Sequence, residues 1–366
     1  MRVNLFRGAF LCVILLATLC VGCLPQPKPE SVEYITVLTY NTHLFEGSRD
    51  ELGGLRRKEI LDDKQRAEKM LYKIVESRAD IVALQEVWAD GNQVWFCQNL
   101  KSVYPYCHVS GQKEDWEDFK KTGYLNTCGL VLLSKYKFEG KPDFFEYEQS
   151  RKKFIFGGYD RKKKKIVFEE ERLARKGGIL ATIELEPGGP KLRLGITHSH
   201  YGRGQEELNA QELANATIIE NGNVIDSPAI IMGDFNIHAI GDKGSYGRLK
   251  GNFAKLHAVD AYREVHPCDN EERMSEADYT IDGQKNELHK KFFPPTKKHP
   301  EIVRDRIDYI FVKKSGGGLE LTPVEAEVIH DWKYEAVWKK RGKVLADLSD
   351  HYPVKVKFKA TRTTTP

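Results

Sequence analysis

Cysteine, net charge and long apolar runs are all scarce in this chain of 366 residues. Seven cysteines are too few for a disulfide scaffold at this length, and no CxxC or cysteine–histidine spacing indicates zinc. A formal net charge of +4 gives no global argument for nucleic-acid binding, so any such argument must come from local patches. The remaining composition, with 40% hydrophobic and 30% charged residues, excludes a disordered or collagen-like chain.

Common catalytic motifs are missing as well. The sequence has no Walker A loop, no GxGxxG fingerprint and no GxSxG nucleophile motif. The usual sequence signals for a phosphate-binding P-loop, a dinucleotide-binding fold or a serine hydrolase are therefore lacking.

The first residues have the composition of a secretory leader. The uncharged apolar run 10–21 is shorter than the ~20 residues that span a bilayer, and it ends in small residues. The motif CVGC at 20–23 resembles a bacterial lipobox and would place a lipid on Cys23. We therefore expect a signal peptide over 1–22, a tether over 23–32 and an exported lipoprotein, anchored to the outer membrane or secreted. An uncleaved anchor is the alternative.

The rest of the chain is predicted to form one α/β domain over 33–360, with a tail over 361–366. Apolar residues at helical spacing predict helices within 58–78 and 206–221. Cys97 and Cys107 could pair in an oxidising compartment, and unpaired thiols are the alternative. Short runs rich in Val, Ile and Leu predict strands at 35–40, 81–85, 130–133, 179–185, 192–197, 229–232, 307–312 and 354–358.

Two segments stand out by their charge. Segment 137–175 carries the basic run RKKKK at 161–165, which we interpret as a solvated hairpin or as a basic finger for anionic lipid or nucleic acid. Segment 328–343 places Trp332 and Trp338 among lysines, a composition suited to a membrane–water interface. A hairpin that packs its own aromatic side chains is the alternative.

Polar side chains repeatedly follow the predicted strands, where strand ends can converge on one edge of a sheet. Carboxylate and amide oxygens are ligands that Mg²⁺ prefers, and two histidines can serve as base and acid around a phosphorus centre. This inventory favours metal-assisted attack of water on a phosphate ester. The residues concerned are Asn41, Glu86, His198, Asp234, Asn236, Asp308, Asp350 and His351.

Taken in order, several motifs resemble those of the endonuclease/exonuclease/phosphatase superfamily. The resemblance implies a four-layer α/β (α+β) sandwich of the deoxyribonuclease I-like kind, with two facing mixed β-sheets flanked by helices. It also implies Mg²⁺ as the cofactor, with Mn²⁺ or Co²⁺ as substitutes. The motifs are TYNTH (39–43), LQEVW (84–88), CGLVLLSK (128–135), ITHSH (196–200), GDFN (233–236), RIDYIF (306–311) and SDHYPV (349–354).

The same resemblance implies a role for each site residue. Glu86 would be the principal metal ligand, with Asn41 close to the metal and phosphate and Asp350 at the metal end. His43, His200 and His238 lie near the motifs and are interpreted as structural or rim histidines. The catalytic roles fall to His351 as general base, Asp308 as its orienting carboxylate, Asp234 and Asn236 as positioners of water and phosphate, and His198 on the leaving-group side.

The pair Lys176-Gly177 bears on the substrate. Deoxyribonuclease-like members commonly carry a glutamate at this place, whereas a Lys-Gly pair is similar to bacterial sphingomyelinases and inositol-polyphosphate 5-phosphatases. We expect a monomeric, sphingomyelinase-like phosphodiesterase of phospholipase C type, acting at a phospholipid membrane surface, with Lys176, Trp332 and Trp338 contacting substrate. The alternatives are a secreted deoxyribonuclease I-like nuclease acting on nucleic acid, a phosphoinositide phosphatase, or a binding module without catalysis.

Overall fold

Short runs of Val, Ile and Leu form the strands of the protein in a computed structural model. The structure describes residues 32–45, 62–110, 128–148, 159–160, 165–166, 175–201, 205–240, 244–295, 302–338 and 341–363. These residues belong to the compact unit Val32–Pro366. Cys23, the predicted leader and most of the basic run at 161–165 lie outside the described residues.

Every predicted strand and both predicted helices are present. The helices are α1 (Asp63–Glu76), α2 (Asp90–Asn99), α3 (Gln205–Ile218), α4 (Ser245–Ala254), α5 (Ala261–Val265) and α6 (Glu287–Phe292), with 3-10 turns at Glu271–Arg273 and Glu276–Asp278. The strands are β1 (Tyr34–Leu44), β2 (Ile81–Val87), β3 (Tyr106–Val109), β4 (Val131–Ser134), β5 (Lys137–Phe138), β6 (Asp143–Glu146), β7 (Tyr159–Asp160), β8 (Lys165–Ile166), β9 (Gly177–Glu184), β10 (Lys191–His198), β11 (Ile219–Glu220), β12 (Asn223–Val224), β13 (Ala229–Asp234), β14 (Ala258–Asp260), β15 (Ile281–Asp282), β16 (Arg304–Asp305), β17 (Asp308–Lys313), β18 (Ser315–Gly316), β19 (Leu319–Val328), β20 (Lys333–Trp338), β21 (Gly342–Asp347) and β22 (Val354–Arg362).

Two large mixed sheets organise these strands. The first has the order β18-β19-β22-β1-β2-β4-β3, and the second has the order β14-β17-β13-β10-β9-β5, with β6 also paired to β9. Each sheet contains one parallel pair, β1 with β2 and β10 with β13. Antiparallel neighbours flank both pairs.

Three apolar clusters define the layers. Val37 and Ile81 of the first sheet pack with Ile196 and Ile230 of the second, so the sheets face each other. The outer face of the first sheet packs against α1 and α2, and that of the second packs against α3 and α4. Because both faces of the central strands are covered, β2 and β13 are apolar up to the polar residues at their ends. The predicted sandwich of two facing mixed sheets flanked by helices is therefore confirmed.

The parallel pairs also place the polar strand ends. Asn41 is in register with Gln85 at the end of the first pair, and His198 is in register with Asp234 at the end of the second. Asp234 is also in register with Asp308 on β17. We call Asn41, Glu86, His198, Asp234, Asp308 and His351 the strand-end rim.

The β20–β21 hairpin corrects one prediction. Alternate residues of β20 face inward, so Trp338 is 2% exposed, and the preceding Trp332 is 7% exposed with its ring 5.3 Å from that of Tyr40. Both tryptophans pack in the apolar cluster on the outer face of the first sheet. The prediction that they contact substrate is wrong, because the hairpin packs its own aromatic side chains. Val337 and Leu345 face outward instead, at 71% and 61% exposure.

The structure also bears on smaller points of the sequence. Cys97 and Cys107 form a disulfide, with their Cα atoms 5.7 Å apart. Tyr159–Asp160 pairs antiparallel with Lys165–Ile166. Within the described ranges, no helix is long and apolar enough to cross a membrane.

Candidate active site

The ends of β1 and β2 bring Asn41 and Glu86 together. The two strands are parallel, so both end at the same edge of the first sheet. Asn41 is fully buried, and its Nδ2 donates to Glu86 Oε1 at 3.2 Å and to Asp234 Oδ2 at 2.9 Å. This amide therefore links the predicted metal ligand of one sheet to the central aspartate of the other.

Glu86 is surrounded by nitrogen atoms. Its φ of 57° lies in the left-handed region, which turns the side chain away from the regular course of the strand. Trp88 Nε1 donates to Glu86 Oε2 at 3.3 Å, and His43 Nδ1 lies 3.4 Å from the same oxygen. Burial raises the pKa of Glu86, but the imidazoles of His43 and His198 outweigh it and hold the pKa well below its usual range. The carboxyl group is therefore ionised at neutral pH, as a metal ligand must be.

Asp234 lies at the centre of the rim. Its Oδ2 accepts from Asn41 and lies 3.7 Å from His198 Nε2 and 4.0 Å from His351 Nε2. Burial and the neighbouring Asp308 raise the pKa of Asp234 to about 7, although His351 and Asn41 act against them. This carboxyl group therefore takes up or releases a proton close to neutral pH.

His351 and Asp308 form a buried pair. His351 Nδ1 lies 2.9 Å from Asp308 Oδ2, within hydrogen-bonding distance, and Thr280 Oγ1 accepts from the backbone N–H of Asp308 at 3.3 Å. Burial lowers the pKa of His351, but the carboxylates of Asp308 and its neighbours outweigh it and raise the pKa well above its usual range. A carboxylate bonded to Nδ1 fixes the ring so that Nε2 can accept a proton. The geometry suits a general base, the role predicted for His351.

His198 contacts a buried lysine. Lys176 Nζ lies 2.8 Å from His198 Nε2 and 3.1 Å from its Nδ1, and it lies 5.4 Å from the centre of the Trp88 ring. Lys176 is 0% exposed. The following Gly177 has no room for a side chain, because a Cβ atom would lie 2.1 Å from the carbonyl oxygen of Phe145. The Lys-Gly pair thus places an ammonium group against His198, and substrate binding by Lys176 stays a prediction.

Asn236 and Asp350 lie at the margins of this cluster. Asn236 Nδ2 donates to the carbonyl oxygen of Ser199 at 2.9 Å, and its backbone N–H donates to Asp234 Oδ1 at 2.8 Å. Asp350 Oδ2 lies 3.4 Å from His43 Nδ1. Their predicted roles toward phosphate and metal stay predictions, with both residues held beside the rim.

His43 is a site residue that the sequence interpretation set aside. It contacts both Glu86 and Asp350, whereas His200 contacts Asn209 and His238 contacts Asp305. The sequence feature that indicates a site role for His43 is its position directly after Asn41-Thr42, at the end of β1. The three extra histidines look alike in sequence, and only their environments separate them.

The donor set of the rim fits a divalent cation. Glu86, His198 and Asp234 each offer a ligand atom within 4.8 Å of the others, and so do Asp234, Asp308 and His351. Asn41 adds an amide beside the first group. Carboxylate and amide oxygens suit Mg²⁺ and Mn²⁺, and imidazole is compatible with Mn²⁺ and later transition ions.

A two-sheet sandwich with acidic and histidine side chains on one rim defines a metal-dependent phosphodiesterase of the deoxyribonuclease I-like fold. The chain belongs to the Endonuclease/Exonuclease/phosphatase family, whose sequence profile matches residues 38–351. The protein is therefore a phosphoric ester hydrolase that uses a divalent metal. Comparison with curated proteins found no match to its sequence.

Solved structures share this fold at low sequence identity. Sphingomyelinase C from Streptomyces griseocarneus has 16% identity and a TM-score of 0.56, with 88% of this chain and 99% of that chain covered. Beta toxin 275-280 from Staphylococcus aureus has 18% identity, a TM-score of 0.56 and the same coverage of both chains. TDP2 from D. rerio, complexed with a single strand DNA product, has 16% identity and a TM-score of 0.54, with 89% and 98% covered. At these identities the likeness concerns the fold alone.

Proposed function

We propose that the protein is a Mg²⁺-dependent phospholipase C that cleaves sphingomyelin into phosphocholine and ceramide. The observation that carries this proposal is the contact between Lys176 and His198, with Nζ 2.8 Å from Nε2. The glutamate of deoxyribonuclease-like members would give this place a negative charge, whereas Lys176 gives it a positive one. This charge favours an anionic phosphodiester beside His198, and the similarity of the Lys-Gly pair to bacterial sphingomyelinases directs the proposal to a phospholipid rather than to nucleic acid.

A buried lysine of this kind is not expected for stability alone. Removing an ammonium group from water costs several kcal/mol, and Lys176 is fully buried. The glycine that follows lies against the backbone of Phe145, where a side chain would not fit. Its contact with His198 therefore supports a role in the chemistry of the site.

The proposed reaction uses the residues of the rim in their predicted roles. Glu86 and Asn41 would hold the metal, which when bound polarises a phosphoryl oxygen as a Lewis acid. His351, oriented by Asp308, takes a proton from the attacking water as its oxygen bonds to phosphorus. The bond between phosphorus and the ceramide oxygen breaks, and that oxygen takes a proton from the protonated imidazole of His198.

Export to a membrane surface forms part of the proposal. The leader-like segment and the CVGC motif at 20–23 support export and a lipid on Cys23. The disulfide between Cys97 and Cys107 supports an oxidising compartment, because such bonds rarely persist in the cytosol.

A paired substrate assay tests the proposal. Purified protein with Mg²⁺ is expected to release phosphocholine from sphingomyelin liposomes and to leave plasmid DNA intact. DNA cleavage with intact sphingomyelin would overturn the lipid proposal in favour of the nuclease. Release of phosphate from phosphoinositide vesicles alone would favour the phosphatase. Glu86→Gln, which should be inactive on every substrate, controls for contaminating enzymes.

The Lys176→Met variant tests whether the contact between Lys176 and His198 contributes to catalysis. It removes the charge at nearly the same length, so kcat on sphingomyelin should fall by about 10²-fold. Thermal stability should be retained or increased, because an apolar side chain replaces a buried charge. An unchanged kcat would show that Lys176 does not contribute to catalysis, which would contradict the proposal.

A further inference from the structure

His43 lies between two carboxylates of the predicted metal site. Its Nδ1 is 3.4 Å from Glu86 Oε2 and 3.4 Å from Asp350 Oδ2. These acids are far apart in the sequence: Glu86 lies at the end of β2 and belongs to the strand-end rim, whereas Asp350 precedes β22 and lies beside the rim. Two carboxylates that share a site repel each other, so a nitrogen placed between them determines how far apart they remain.

Aromatic packing fixes the direction of the His43 ring. The ring centres of Phe45 and Phe292 lie 4.8 Å and 4.4 Å from that of His43, which is 5% exposed. Among the described residues, Nε2 is buried without a hydrogen-bond partner. A histidine that served only the core would be expected to satisfy both nitrogens. The polar contacts of this ring lie on the side of the two carboxylates.

The backbone conformation of His43 also connects this residue to the predicted metal ligands. Its φ of 49° lies in the left-handed region, which is uncommon for residues other than glycine, although histidine adopts it more often than most. Its N–H donates to Asn41 Oδ1 at 3.2 Å, which turns Asn41 Nδ2 toward Glu86 and Asp234. Arg66 Nη2 donates to the His43 carbonyl oxygen at 2.6 Å and holds this conformation. A strained residue held by several contacts indicates a functional constraint.

We propose that His43 is a positioning residue of the metal site, which sets the separation and direction of the Glu86 and Asp350 carboxylates. It acts through these ligands and through Asn41, and it does not contact the substrate. The inference rests on the proposed function only in requiring that the rim binds a divalent cation. It holds for any phosphate ester that the enzyme cleaves.

Two substitutions distinguish the contribution of the His43 imidazole from that of its backbone conformation. His43→Gly removes the ring and tolerates a positive φ, so it adds no backbone strain. His43→Asn also tolerates this φ, and it places an Nδ2–H as many bonds from Cα as the Nδ1 of histidine. His238→Gln is the matched control, because His238 contacts Asp305 and lies outside the metal set.

Calorimetric titration of the purified full chain with Mn²⁺ and with Mg²⁺ provides the readout, without substrate. We expect His43→Gly to weaken binding of both ions by about 10- to 100-fold, the range for residues that orient metal ligands. His43→Asn should recover most of this loss, and His238→Gln should bind as the wild type does. Melting temperatures of the metal-free proteins report whether each variant is folded.

Three results would overturn the proposal. The first is wild-type affinity in His43→Gly, and the second is equal loss in the glycine and asparagine variants, which would indicate a packing role. The third is the same loss in His238→Gln. Failure of the proposed function is distinguishable, because metal binding that depends on His43 in a protein inert toward sphingomyelin would overturn only the lipid proposal.

Discussion

The strand-end rim and the β20–β21 hairpin bury opposite kinds of side chain. The rim encloses carboxylates and imidazoles, among them Asp234, whose pKa burial and Asp308 raise to about 7. The hairpin encloses aromatic rings, with Trp332 packed on Tyr40 and Trp338 in the same apolar cluster. Buried charge costs stability and buried rings contribute it. The comparison therefore assigns chemistry to the rim and stability to the hairpin.

The largest expected effect is the loss of catalysis at the rim. His351→Ala removes the base and should lower kcat by about 10²- to 10⁴-fold on any substrate of the enzyme. The free energy of unfolding should also fall, by about 3–5 kcal/mol, because the buried Asp308 carboxylate loses its partner, so activity is compared per folded molecule. Full retained activity in the variant would contradict the assignment of the base.

Substitution of Trp332, which packs in the apolar cluster with the β20–β21 hairpin, is expected to affect stability rather than activity. Trp332→Ala should lower the free energy of unfolding by about 3–5 kcal/mol, because it empties a packed site beside Tyr40. Chemical denaturation measures this loss, and Val337→Ala on the exposed face of β20 is the matched control, expected to change little. Activity per folded molecule should persist on both a lipid and a soluble phosphodiester. Selective loss on the lipid would restore the idea that this tryptophan contacts substrate.

The charge of Lys333 in the hairpin should contribute to the stability of the fold. Lys333 Nζ donates to the buried Asp347 at 2.6 Å, and burial raises the pKa of Asp347 despite this lysine. Lys333→Met should lower the free energy of unfolding at pH 7 by about 1–2 kcal/mol, because the ionised carboxylate loses its charged partner and keeps only the hydrogen bond from the Glu287 backbone N–H.

The pH dependence of that loss follows from the sign of the shift. The raised pKa means that folded Asp347 takes up its proton at a higher pH than the unfolded chain, and removing Lys333 raises the pKa further. The difference between variant and wild type should therefore shrink as the pH falls and Asp347 becomes neutral. Denaturation from pH 7 to pH 4 measures this, with Lys343→Met on the exposed face as control. A constant difference would contradict the pairing.

The smallest effect concerns the outer face of the hairpin. Replacing Val337 and Leu345 by serine should leave stability nearly unchanged, because both side chains are mostly exposed. If this face touches lipid, the double variant should bind sphingomyelin liposomes about three- to tenfold more weakly in sedimentation assays. Unchanged binding would restrict the hairpin to its structural role.

These two regions also show what a sequence can predict. Glu86, His198 and Asp234 were predictable as neighbours because each follows an apolar run, and parallel strands end at a common edge of a sheet. The direction of Trp332 and Trp338 was not predictable, since it depends on which side of the hairpin another layer covers. His43 was missed for a related reason, because its aromatic clamp includes Phe292 from a distant segment.

The course of β1 has a consequence for substitutions near its start. This strand carries the chain from Val32, whose N–H donates to Glu186 in the turn between β9 and β10, to Asn41 at the rim. From Tyr34 to Asn41 it covers about 23 Å, at ~3.3 Å per residue. The first described residues of the domain therefore lie about one strand length from the rim, so a substitution at Glu186 would act on the start of β1 and not on the catalytic side chains.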